Sequence, residues 1–148
     1  GVGTSIPVGS VTFSPGADGD YISVGGGPGP DDDWYGPLTG HDIKLGIESM
    51  QVNFTTPVTA MGFVFAEPGQ ATMPPWGIGI AGASEGSRFQ VTLFNDSRRV
   101  GSFYFNGPDD AVSFVGVRSA TPFTHATIVD NSRNDDDEYF GEFFTAGP

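Results

Sequence analysis

No window of this sequence holds apolar residues at i, i+3, i+4 and i+7 without a glycine, a proline or a β-branched residue breaking it. The chain has 148 residues, of which 23 are Gly and 12 are Pro. In a helix interior these cost roughly 1 and 3 kcal/mol relative to alanine. A helical bundle is therefore excluded. The best short helical stretch is residues 41–49, and it contains Gly46.

Alternation with period two recurs instead, as expected of strands with one buried face. It is present in Ser10-Val11-Thr12-Phe13, in Tyr21-Ile22-Ser23-Val24 and in Met50-Gln51-Val52-Asn53-Phe54. Residues 59–65 are mostly apolar and read as a buried strand, and residues 76–81 carry Gly at alternate positions, 77 and 79. Residues 88–94 alternate, Asn95-Asp96-Ser97-Arg98 turns the chain, and residues 100–105 return, which predicts a hairpin. Further strands are expected over 111–118, 124–129 and 138–145. Pro57, Pro68, Pro108 and Pro122 are expected between strands, where a missing N–H costs nothing.

The pattern predicts an all-β fold. It is an antiparallel β-sandwich, jelly-roll-like, of about nine or ten short strands, in one domain over residues 1–148. No helical crossovers separate the strands, so a parallel sheet is disfavoured. Residues 1–13 form a polar, Gly-spaced segment that could extend as an N-terminal arm. Such an arm could add a strand to a second copy and build a filament or layer, the alternative being pairing within its own sandwich.

Composition narrows the function. Eighteen acids face six bases, for a net charge of −12. Nucleic acid and anionic membrane surfaces are unsuitable partners for such a chain. No apolar run approaches the ~20 residues of a membrane helix, so membrane insertion is not expected. There is no Cys, which removes disulfides and thiolate chemistry. A single Lys, Lys44, among many Gly, Thr, Ser and Asp points to a secreted or cell-surface protein.

Three segments resemble a known family. They are residues 51–63, residues 89–96 with Val100-Gly101-Ser102, and Phe114-Val115-Gly116-Val117-Arg118-Ser119 with Pro122-Phe123. Together they resemble the ectodomains of secreted bacterial proteins of the PEP-CTERM sorting kind. The resemblance implies a jelly-roll-like sandwich associated with cell surfaces and exopolysaccharide. No sorting anchor is among the 148 residues, and the closing segment Asp135-Asp136-Asp137-Glu138-Tyr139-Phe140-Gly141-Glu142 departs from the family's usual acidic strand.

Two groups of residues could carry binding. The loop-like segments Asp31-Asp32-Asp33-Trp34-Tyr35 and Pro74-Pro75-Trp76 offer aromatic faces beside carboxylates. Sugar rings stack on such faces and their hydroxyls donate to such carboxylates, so Trp34, Tyr35, Trp76, Asp31, Asp32 and Asp33 are the expected carbohydrate-binding residues. The alternative for each Trp is to cap an end of the sandwich. The densest acidic run holds Asp130, Asn131, Asn134, Asp135, Asp136, Asp137 and Glu138. Hard cations take six to eight oxygen ligands. Ca²⁺ is therefore the expected cofactor, with Asp130, Asn134, Asp135, Asp136, Asp137 and Glu138 as ligands, against the alternative of a solvated acidic loop.

A catalytic pattern is matched only formally. Gly82-Ala83-Ser84-Glu85-Gly86 fits G-x-S-x-G, with His125 downstream and Asp96, Asp109 and Asp110 between. That motif requires a strand before it and a helix after it, and the sequence after Ser87 alternates as a strand. The chain is read as a non-enzymatic surface or matrix module that binds calcium and contacts polysaccharide, with self-association as the other reading.

Overall fold

The computed structural model describes residues 2–3, 5–16, 22–24, 43–45, 49–66, 88–107, 111–131 and 139–148. Its strands are β1 (Val2–Gly3), β2 (Ile6–Val8), β3 (Val11–Pro15), β4 (Ile22–Val24), β5 (Ile43–Leu45), β6 (Ser49–Ala66), β7 (Arg88–Asn95), β8 (Arg98–Asn106), β9 (Val112–Asp130) and β10 (Tyr139–Ala146). All pairings are antiparallel, and the described residues contain no helix. Within the candidate helical stretch, residues 43–45 are strand β5. There Ile43 is buried, and its strand pairs with β4 and β10.

The expected short strands over 50–54 and 59–65 are one strand of 18 residues, and those over 111–118 and 124–129 are one of 19. Pro57 and Pro122 thus lie inside β6 and β9, not between strands. The register explains how. Between the pairs Asn53↔His125 and Val58↔Phe123, β6 advances five residues while β9 advances two. Between Val58↔Phe123 and Ala60↔Arg118, β9 advances five while β6 advances two. Each strand bulges in turn, and each proline sits in its own strand's bulge, where no ladder hydrogen bond is forfeited. Local bonds hold both bulges. Thr55 donates its N–H to Ser10 O at 2.9 Å, and Ser119 Oγ donates to Thr121 O at 2.7 Å.

At these bulges both long strands pass from one sheet to the other. The first sheet runs β2-β3-β6-β9-β7-β8, using residues 49–54 of β6 and 125–130 of β9. The second runs β1-β4-β5-β10-β6-β9, using residues 58–66 of β6 and 112–118 of β9. Phenylalanines close the space between them. Phe13 of β3 meets Phe143 of β10 at 4.6 Å, and Phe89 of β7 meets Phe65 of β6 at 5.0 Å. Phe105 of β8 lies 5.3 Å from Phe65 and 5.9 Å from Phe63. These contacts join opposite sheets, which makes the fold a sandwich.

Two smaller features complete the frame. In β10 a one-residue bulge between Phe140 and Phe143 resets the alternation, so both rings turn inward onto Phe63. The N-terminal segment is paired within its own chain: β1 with β4, and β2 folded back on β3. The β2–β3 turn places Gly9 at φ +60°, the glycine position of a type II′ turn.

Candidate functional site

Alternation decides what the first sheet shows to solvent. Phe89, Val91 and Leu93 of β7, Val52 of β6, and Ala126 and Ile128 of β9 are buried against the second sheet. Their neighbours must face outward. The register then brings residues distant in sequence into rows. Thr12, Asn53, His125, Phe94 and Arg99 form one. Ser14, Gln51, Thr127, Thr92 and Ser102 form the next, and Val129, Gln90 and Tyr104 the third. Adjacent strands lie about 4.8 Å apart, so neighbours in a row can reach adjacent groups of one ligand.

The chemistry of this face is amide, hydroxyl and aromatic, with the guanidinium groups of Arg99 and Arg88 at its two ends. A side-chain amide offers two donors and an acceptor, and a hydroxyl does both. Gln51 Nε2 donates to Asn53 Oδ1 at 3.0 Å, which fixes two amides relative to each other. Arg99 donates to Ser102 Oγ. The rings of Phe94 and His125 stack at 4.8 Å, within 7° of parallel, as a stiff block at one end. At the other end the Arg88 guanidinium lies 4.3 Å from the Tyr104 ring centroid, and Tyr104 is 51% exposed. The hairpin is braced at its turn, where Asp96 (φ 51°) donates its N–H to Thr124 Oγ1 at 2.8 Å. No outward position of these rows is Asp or Glu. Of the 18 acids only Asp96, Asp130 and Glu142 lie among the described residues.

The residues expected from sequence fall mostly elsewhere. Trp34, Tyr35, Trp76, Asp31, Asp32 and Asp33 lie outside the described residues, as do Asn134, Asp135, Asp136, Asp137 and Glu138. Asp130 ends β9, opposite Phe89. Among the described residues no three His, Asp or Glu side chains are grouped to hold a metal ion. Ser84, Asp109 and Asp110 are also outside them, and His125 is engaged with Phe94 rather than with a hydroxyl nucleophile. Among the described residues no helix is long and apolar enough to cross a membrane. The amide–hydroxyl face was not singled out by sequence; the signal for it is the polar half of each alternating strand.

No protein-family model matches the chain, and no curated protein matches it in sequence. Solved structures match it in fold. One is the arabinose-bound MgGH51 α-L-arabinofuranosidase, with a TM-score of 0.54 and 10% identity over 88% of this chain and 22% of that one. The chain thus spans about a fifth of that enzyme's length. Another is the C-terminal family 22 carbohydrate-binding module of Clostridium thermocellum Xyn10B, with a TM-score of 0.51 and 7% identity over 95% of this chain and 88% of that module. The family 11 carbohydrate-binding module of the same organism, in complex with a β-1,3-1,4-mixed-linked tetrasaccharide, has a TM-score of 0.47 and 11% identity over 97% and 95% of the two chains. At such identities the first two show a shared fold, the antiparallel β-sandwich.

Proposed function

We propose that this chain is a non-enzymatic, carbohydrate-contacting module that works outside the cell, and that the outer face of its first sheet meets the polysaccharide. The observation that carries the reading is the register. It sets Gln51, Asn53, Gln90, Thr92, Thr127 and Ser102 side by side with an exposed Tyr104. Sugar hydroxyls both donate and accept, so a field of amides and hydroxyls satisfies them without a fixed charge pattern. A shared fold with a carbohydrate-binding module supports the reading. Trp34, Tyr35 and Trp76, with Asp31, Asp32 and Asp33, would extend the contact.

Removing the Gln90 amide is expected to weaken glycan binding by about 0.5–1.5 kcal/mol, the net worth of a hydrogen bond. That is a few-fold to roughly tenfold in Kd. Calorimetric titration of Gln90→Ala and Tyr104→Ala against a panel of polysaccharides checks this. An unchanged Kd in both variants would refute the face.

Calcium belongs to the same proposal, held by Asp130 with Asn134, Asp135, Asp136, Asp137 and Glu138. Because an ion bound only by the folded state stabilises it by mass action, the melting temperature is expected to rise with calcium and fall with chelator. Identical melting curves would remove the ion from the reading. Attachment to a surface in the manner of PEP-CTERM proteins is a further part of it, resting on the sequence resemblance. Filament growth through the N-terminal arm has less support, because exchange would first break the β1–β4 and β2–β3 pairings.

A further inference from the structure

The outer face of the second sheet is built differently from that of the first. It carries an open groove of about 550 Å³, within the roughly 300–1,000 Å³ range of small-ligand sites. The register makes its floor flat. Phe144 and Gly116 flank Gly62, and Ala146 and Arg118 flank Ala60. Phe114 lies across this floor: a Cβ on Gly62 would fall 2.5 Å from its Cζ, and one on Gly116 would fall 3.0 Å from its Cε1. The two rings that stand over the floor are solvent-facing, Phe114 at 66% exposure and Phe144 at 49%. Their centroids are 6.0 Å apart and their planes meet at 60°. Thr59 Oγ1 donates to Gly147 O at 2.8 Å and fixes the end of β10 beside the groove.

Among the described residues Arg118 is the one charged side chain that lines it. A ligand that matches must bring an apolar ring face for the phenylalanines and a negative group at the ring's edge for the guanidinium. Arginine's planar fork fits a carboxylate best when both oxygens are engaged. We propose that this groove binds a uronate residue of an acidic polysaccharide, with its C–H face on Phe114 and Phe144 and its carboxylate on Arg118. The proposal rests on the carbohydrate reading above. It adds a second, charge-selective site on the opposite outer face.

The test is titration of the whole chain with oligogalacturonate, with the same oligosaccharide after carboxyl reduction, and with benzoate, which has a flat ring and a carboxylate but no hydroxyls. Oligogalacturonate is expected to bind, and its carboxyl-reduced form to bind about tenfold more weakly or not at all. Arg118→Gln and Phe144→Ala are both exposed substitutions, and each is expected to weaken oligogalacturonate about tenfold. Val8→Ala, an exposed position on β2 that belongs to neither site, is expected to leave it unchanged. Equal affinity of wild type and Arg118→Gln would overturn the proposal, as would a loss of the same size in Val8→Ala. Benzoate binding as tightly as oligogalacturonate would show an aromatic-acid site and overturn the sugar assignment. Binding of neutral polysaccharides alone would overturn the groove's assignment and leave the carbohydrate reading standing. Silence toward every glycan would overturn both.

Discussion

Replacing Phe65 by alanine is expected to destabilise the fold by about 3–5 kcal/mol, the usual cost of emptying a buried phenylalanine site. Phe65 is 0% exposed and stands where the two sheets meet. Its ring touches Phe89 at 5.0 Å and Phe105 at 5.3 Å across the sandwich, and Phe140 at 5.2 Å within its own sheet. All three contacts are edge-on, with interplanar angles between 63° and 79°. Each such pair adds about 0.5–1.5 kcal/mol beyond area burial, and three rings cannot all shift into one void. At this chain length 1 kcal/mol moves the midpoint by about 2–4 °C, so a drop on the order of 10 °C is expected in a thermal melt. Phe144→Ala is the matched comparison: the ring is half exposed, and the melt should move little. A small effect at Phe65 would mean the sheets are not packed as described.

Gly16→Ala is expected to cost about 1–3 kcal/mol, the range for forcing extra atoms into a filled site. A Cβ there would lie 1.8 Å from Ser49 Oγ and 2.6 Å from Ser49 Cβ. The hydroxyl could rotate away, but the Cβ could not without moving the strand. Ser49 is itself only 5% exposed, and its carbonyl accepts the Gly16 N–H at 2.8 Å. The junction where β3 ends against the start of β6 therefore has no room to give. Gly101→Ala tests the opposite case. Nothing lies within 4 Å of the added carbon, so the loss of unfolded-state freedom should leave the protein equally or slightly more stable. Parallel denaturant titrations of the two variants check the contrast; equal midpoints would contradict it.

The strand character of the chain was legible from alternation, and so was the β7–β8 hairpin from Asn95-Asp96-Ser97-Arg98. The continuity of β6 and β9 was not. Pro57 reads as a break because a proline in a paired strand loses a ladder bond. It breaks nothing when the partner strand offers no carbonyl at that point, and only the register with β9 reveals that. The same holds for both outer faces. Gln90 and Thr92 are each merely the polar member of an alternating pair until β9 places Val129 and Thr127 beside them. In 112–118 the alternation does not say which parity turns inward: Val115 and Val117 pack on the core, and Phe114 stays out. Trp34, Tyr35 and Trp76 stood out for the opposite reason, being large aromatics in Gly- and Pro-rich segments.

Because β6 and β9 belong to both sheets, side by side at the centre of the first and at one end of the second, the two layers are not separable cooperative units. The amide ladder between residues 49–53 of β6 and 125–129 of β9 continues past the bulges into the ladder between residues 60–66 and 112–118. A local opening that starts at β8 or at β1 can peel an edge, but one that reaches the β6–β9 ladder in either sheet has reached the strands that carry both. Unfolding of the described framework is thereby a single event, with its most protected amides on the two strands that belong to neither layer alone.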